Sequence, residues 1–176
     1  MKETPADIIK ERPDIIGISA GTEHYRVAID WAKEFDKALN VPIVIGGIHI
    51  SLLPTSMTED FDVAVIGEGE VTMVELLKSF MEYGRFDYDR LKNTDGLFFW
   101  DNGAPFFTAQ REAIHDLDTL PAIHRDQLPF YRPSSTAHVF TARGCPYHCS
   151  FCSSTAHFNQ YRSQSVERTV SEIEAL

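Results

Sequence analysis

The sequence predicts an α/β fold, a doubly wound parallel sheet. Two observations predict it. Short β-branched runs alternate with apolar helical stripes through the first half of the chain, and each run ends in a small or glycine-rich turn. A third observation, a change of character after Leu97 leading to a cysteine loop, predicts a second unit beyond the sheet.

The elements follow in order. Asp14 to Ala20 is a β-branched run suited to a buried strand. Glu23 to Leu39 places Val27, Trp31, Phe35 and Leu39 at helical spacing, which predicts a helix with that stripe in the core. Val41 to Ile45 is a second strand and ends in Gly46-Gly47. Ile50 to Met57 allows a short helical turn interrupted by Pro54. Asp62 to Ile66 is a third strand, and Glu70 to Phe80 a helix with Val71, Val74, Leu76 and Leu77 on its apolar face. Strand–helix–strand spacing implies parallel strands joined by right-handed crossovers.

Gly96 to Trp100 and Ala104 to Thr108 flank Asp101-Asn102-Gly103, a hairpin signal. This gives a first domain over 1–112 with the hairpin at 96–108. Residues 113–136, with Pro121, Pro129 and Pro133 and no periodicity, read as a linker. In 137–176, Ala137 to Ala142 is expected as a strand and Ser165 to Leu176 as a helix capped by Ser165. Three parallel strands are few for a doubly wound domain, and the last segment holds one strand and one helix. The expectation is a fragment that does not turn over substrate alone.

The formal net charge of −10 argues against a nucleic-acid surface. The longest apolar stretch, Val41 to Pro54, is too short for a membrane span and is broken by Gly46, Gly47 and His49. The N-terminus lacks the apolar core of a secretory signal, so a cytoplasmic protein is expected.

All three cysteines fall within Cys145 to Cys152. An odd, clustered set makes a poor disulfide framework and reads as metal-binding or catalytic in a reducing compartment. Cys145, Cys149 and Cys152 are spaced C-x-x-x-C-x-x-C on a loop containing Gly144, Pro146 and His148. Three thiolates can hold three irons of a cubane cluster and leave the fourth open, as catalysis requires. No Asp or Glu lies between Gln127 and Val166, whereas Arg132, Arg143 and Arg162 do. That local charge lowers the cost of an anionic cluster. Zinc held by the cysteines with His148 or His157 stays open as an alternative. A ferredoxin-type carrier would want a fourth cysteine.

In an open parallel sheet, ligands sit beyond the C-terminal strand ends. Here those ends read Ser19-Ala20-Gly21-Thr22, Gly46-Gly47-Ile48-His49 and Gly67-Glu68-Gly69-Glu70. Together they suggest one ligand crevice, but neither a dinucleotide fingerprint nor a phosphate-loop lysine is present.

The cysteine loop, with Phe151 just before the third cysteine, resembles the cluster motif of the radical S-adenosylmethionine superfamily. The resemblance implies a 4Fe-4S cluster on Cys145, Cys149 and Cys152. It implies S-adenosylmethionine on the open iron, cleaved to a 5′-deoxyadenosyl radical, with Phe151 beside the cofactor. The start of a (β/α) barrel is implied from residue 137. A small-molecule substrate and an electron donor such as flavodoxin or ferredoxin are implied as partners.

Residues from Asp14 to Leu77 resemble the flavodoxin-like cobalamin-binding domain that precedes many such barrels. This implies cobalamin contacts at Ser19, Gly46, Gly47, Gly67, Glu68 and Gly69, with Glu70 beside them. The outcome would be methylation, cyclisation or rearrangement of a substrate. Those domains often carry Asp-x-His-x-x-Gly for the cobalt's lower ligand. No such motif occurs in the 176 residues, and His49 sits on the wrong loop to replace it. A radical enzyme whose α/β domain lacks cobalamin therefore stays open, as does a zinc-binding non-enzymatic module.

Overall fold

A computed structural model describes residues 4–123, 137–158 and 160–176 of the chain. The chain divides into two compact units, Met1–Glu112 and Ala113–Leu176. Of the expected linker, 124–136 lie outside the described residues, and with them Pro129, Arg132 and Pro133.

The first unit is a five-stranded sheet in the order β1-β2-β3-β4-β5: β1 (Ile16–Ser19), β2 (Ile43–Gly46), β3 (Val63–Val65), β4 (Leu97–Asp101) and β5 (Ala104–Phe107). β1, β2 and β3 run parallel, with Ile16 opposite Ile43 and Val44 opposite Val63. The hairpin joins this same sheet, β4 lying antiparallel to β3 and to β5, so the sheet is mixed beyond its three parallel strands. Asn102 (φ 51°) and Gly103 (φ 80°) form the turn, the left-handed pair that a two-residue hairpin needs.

Strand side chains alternate between two cores. Ile16, Ile43, Ile45, Ala64 and Phe98 face a cluster with Tyr25, Ala28, Ala32 and Phe35 of α2 (Tyr25–Ala38). Val44, Val63, Val65, Leu97 and Phe99 face Leu76 of α4 (Gly69–Tyr83) and Leu91 of α5 (Tyr88–Leu91). Helices thus cover both faces, as buried parallel strands require.

Two helical faces differ from expectation. In α2 the buried stripe is Tyr25, Ala28, Ile29, Ala32 and Phe35, and Val27 is exposed. Small Ala28 and Ala32 let the helix approach the sheet, which turns bulkier Val27 outward; Trp31 packs edge-on against Phe35. In α4, Thr72 and Leu76 are buried while Val71 and Val74 are exposed. Thr72 turns inward because its hydroxyl donates to Asp95 O (3.1 Å) and accepts from Arg111 Nε (2.7 Å). An apolar stripe alone cannot reveal a buried polar partner of that kind.

One helix went unexpected: α1 (Pro5–Glu11), whose entry is fastened by Thr4 N–H donating to Asp7 Oδ2 at 3.3 Å.

In the second unit, β6 (Ala142–Arg143) pairs antiparallel with β7 (Arg162–Ser163). The expected strand from Ala137 thus shrinks to its last residue plus Arg143. A strand forms only where its backbone finds a partner, and residues 137–141 lie outside any strand. The expected last helix is present as α7 (Val166–Glu174), with Ser165 Oγ accepting from Arg168 N–H (3.0 Å). Residues 114–121 are bonded into this unit. Ser165 N–H donates to Asp118 Oδ1 (3.0 Å), Arg168 to Pro121 O (2.9 Å) and Arg162 to Ile114 O (2.5 Å). Arg162 is buried at this anchor. A short α6 (Ser154–His157) follows the cysteines.

Candidate functional site

The parallel register sets Ser19 opposite Gly46, so the ends of β1 and β2 lie side by side. Ser19 is exposed at this rim. Ala20 N–H donates to Gly46 O (3.0 Å), carrying the pairing one residue further. Gly47 then turns at φ 98°, and a Cβ there would meet Ala20 O at 2.7 Å and Ser19 Oγ at 2.9 Å. Gly47 is therefore demanded by the chain's own packing. Gly69 also has a packing reason, with Val65 Cγ1 3.3 Å from its ideal Cβ position.

Gly46 and Gly67 are different. A Cβ at Gly46 would meet nothing closer than Val65 O at 3.9 Å, and one at Gly67 would meet nothing within 4 Å. Gly67 turns at φ 79°, which itself calls for glycine, whereas Gly46 leaves open space beside the strand end. Glu68 precedes α4 as its N-cap residue, and Glu70 lies in its first turn.

Between β2 and β3, α3 (Ile48–Leu52) and the turn Pro54–Ser56 tie the strand ends together. Ser51 Oγ donates to Gly47 O (2.9 Å) and accepts from Gly67 N–H (2.9 Å). His49 is buried, stacked on Tyr25 at 4.0 Å between ring centroids. Its Nδ1 lies 3.2 Å from Thr22 Oγ1 and its Nε2 3.2 Å from Ser56 Oγ. Both ring nitrogens are engaged within the protein, which leaves none to ligate a metal. Thr22, which the sequence places at the first strand end, and Ser51, Tyr25 and Ser56, which it does not single out, all support the rim. Only the Ser51 position, four residues beyond Gly47, carries a local signal.

In the second unit Gly144 (φ 82°) opens the cysteine loop. A Cβ there would come 2.2 Å from Gln160 O and 3.2 Å from Tyr161 Cα, so only glycine lets the loop pass the segment leading into β7. Cys152 N–H donates to Cys149 O (3.0 Å), closing a turn between two of the thiols. All three cysteines are free; Cys149 and Cys152 are exposed and Cys145 half-buried. Among the described residues, no three His, Cys, Asp or Glu side chains already form a metal-holding group. The donor set itself, three free thiols on one glycine-opened loop, suits a cluster. Phe151 is 91% exposed, so it is no core residue. His157 packs edge-on against Phe158, and His148 lies exposed beside Cys149.

No helix among the described residues is long and apolar enough to cross a membrane.

Comparison with known proteins agrees with both units. Residues 2–77 match the B12 binding domain family. Over 97% of its length the chain is 36% identical to an uncharacterized methyltransferase of Pyrococcus horikoshii, of which it covers 38%. Over 99% it is 33% identical to the anaerobic magnesium-protoporphyrin IX monomethyl ester cyclase of Cereibacter sphaeroides, covering 30% of it. The chain thus spans 38% and 30% of the length of these two relatives. Among solved structures, the cobalamin-dependent S-adenosylmethionine radical enzyme OxsB with aqua-cobalamin bound superposes with a TM-score of 0.75 at 23% identity, over 96% of this chain and 24% of that one. The radical S-adenosylmethionine methyltransferase TsrM from Kitasatospora setae, with cobalamin and a [4Fe-4S] cluster bound, gives 0.70 at 21%, over 98% and 37%. Residues 2–77 thus match a B12 binding domain, and over almost its whole length the chain has the fold of the corresponding parts of OxsB and TsrM.

Proposed function

We propose that this chain supplies the cobalamin site and the cluster loop of a radical S-adenosylmethionine enzyme that methylates, cyclises or rearranges a small-molecule substrate. One observation carries it: a B12-binding domain with an open glycine rim stands in the same chain as three free cysteines on the Gly144 loop.

Cys145, Cys149 and Cys152 would hold a 4Fe-4S cluster, and exposed thiols on a short loop can be drawn together by the group they bind. Bound there, the cluster and S-adenosylmethionine supply one-electron radical chemistry that no protein side chain offers. Gly144 sets where the loop leaves β6. Phe151, standing into solvent next to Cys152, offers a flat apolar face to the adenine of S-adenosylmethionine. Ser19, Gly46 and Gly67 would line cobalamin, with Glu68 beside them and Gly47 and Gly69 shaping the turns. A reducing, cytoplasmic setting keeps the thiols free, and an electron donor of the flavodoxin or ferredoxin kind would feed the cluster. Methyltransferases and a cyclase among the relatives support the choice of reactions.

Two other readings have an observation behind them. His49 is fully engaged and no Asp-x-His-x-x-Gly motif occurs, which fits an α/β domain without cobalamin or one that holds it without a histidine below the cobalt. The thiols with His148 or His157 would also offer zinc four ligands. Gel filtration of the chain after incubation with hydroxocobalamin, with cobalt, iron and zinc counted per chain, separates them. Cobalt and iron retained together support the proposal. Iron without cobalt leaves a radical protein lacking cobalamin, and zinc alone leaves a structural metal module.

A further inference from the structure

We infer that Ser51 is a positioning residue: through the amide of Gly67 it sets the distance of the Gly67–Gly69 turn from the Gly46–Gly47 rim, and so tunes the affinity for cobalamin. This rests on the cobalamin reading above and adds to it a residue that acts through backbone.

The helix that carries Ser51, α3, has five residues and begins directly after the left-handed turn at Gly47. A helix of that length has no stability of its own. Side chains hold it on both sides. Toward β1, His49 meets Thr22, and its ring stacks on Tyr25, whose hydroxyl donates to Ser56 O (2.7 Å). Toward β3, the Ser51 hydroxyl reaches Gly67.

The Ser51 bonds are directional. The hydroxyl has one proton, and it goes to Gly47 O, which also accepts from Ser51 N–H at 3.1 Å. The lone pairs are then free to accept Gly67 N–H. One oxygen therefore joins the backbone at the end of β2 to the backbone after β3. Just before the turn, Ile66 N–H donates to Gly96 O (2.8 Å), and apart from its chain neighbours no atom lies within 4 Å of where a Gly67 Cβ would be. A residue at 51 must both donate and accept. Serine and threonine do, alanine does neither, and cysteine does both weakly.

The test uses the 176-residue chain. Hydroxocobalamin is titrated by absorbance, and exchange of the Gly67 amide is followed by NMR in the absence of cobalamin. Ser51→Ala is expected to speed Gly67 exchange and raise Kd about tenfold, a change on the scale of one lost hydrogen bond. Ser51→Thr is expected to restore both to within about twofold, and Ser51→Cys, which keeps the size, to fall between. Leu91→Ala, in the core against the opposite face, lowers stability and should leave Kd unchanged. Unchanged Kd in a folded Ser51→Ala or, if that variant does not fold, in Ser51→Cys overturns the inference alone. Weakening that threonine does not rescue and Leu91→Ala reproduces also overturns it, by showing a merely structural role. Wild-type chain that binds no cobalamin overturns the cobalamin reading and this inference with it.

Discussion

Gly47 packs so tightly on Ser19 that a side-chain carbon at 47 would lie 2.9 Å from the serine oxygen and 2.7 Å from the next carbonyl. The strand-end rim is therefore built from two kinds of glycine. Gly47 serves the fold, while Gly46, one residue earlier, leaves room outside it.

Gly47→Ala is expected to destabilise the first unit by about 2–4 kcal/mol, from left-handed strain plus a clash against backbone that cannot swing aside. Urea unfolding monitored by circular dichroism measures it. A loss below about 0.5 kcal/mol would mean the turn relaxes freely.

Gly46→Ala should cost the fold little, because its Cβ meets only ordinary contacts near 3.9 Å. It should nonetheless weaken hydroxocobalamin binding about tenfold or more by filling the rim. The same titration on a variant of unchanged unfolding midpoint checks this, and undiminished binding would move cobalamin away from β2.

Gly144→Ala places a carbon 2.2 Å from Gln160 O in a region of positive φ. The β6–β7 bridge should open and take the cysteine loop with it. Iron retained after anaerobic reconstitution is expected to fall to less than half of wild type, while cobalamin binding by the first unit stays unchanged. Full iron loading would show that the loop does not depend on this crossing.

Asp62 Oδ2 accepts Ile43 N–H at 2.7 Å, fastening the start of β3 to β2. Desolvation raises its pKa above 3.8, and Asp36 adds repulsion. A raised carboxyl binds its proton more tightly folded than unfolded. Its contribution is greatest below about pH 4 and declines as pH rises through the folded-state value. Asp62→Asn keeps an acceptor without the charge, so it should hold stability at pH 7 and remove that decline. Asp62→Ala leaves Ile43 N–H without its partner and should cost about 1–3 kcal/mol. Unfolding at pH 4 and pH 7 for all three proteins decides it, and equal behaviour of Asn and Ala variants would contradict the hydrogen-bond role.

Much of the fold was legible because strands and turns are local. β1, β2 and β3 lie within the β-branched runs, the hairpin turns at Asn102-Gly103, and Ser165 caps α7. The inward faces of helices were legible in part: Phe35 and Leu76 are buried as the stripes predict. Val27, Val71 and Val74 have the right spacing and hydrophobicity, yet Ala28, Ala32 and Thr72 face the sheet, since fit and a distant Arg111 decide the rotation. Ser51 and His49 were invisible in their supporting roles because their partners Gly67 and Thr22 are 16 and 27 residues away. The strand expected from Ala137 read a propensity that only a neighbouring strand can turn into structure.

The most direct test of the account is electron paramagnetic resonance on the chain reconstituted anaerobically with iron and sulfide, reduced, with and without S-adenosylmethionine. The account predicts about four irons per chain and a cluster signal that changes when S-adenosylmethionine is added, because three cysteines leave one iron open. About one zinc per chain and no such signal would contradict it.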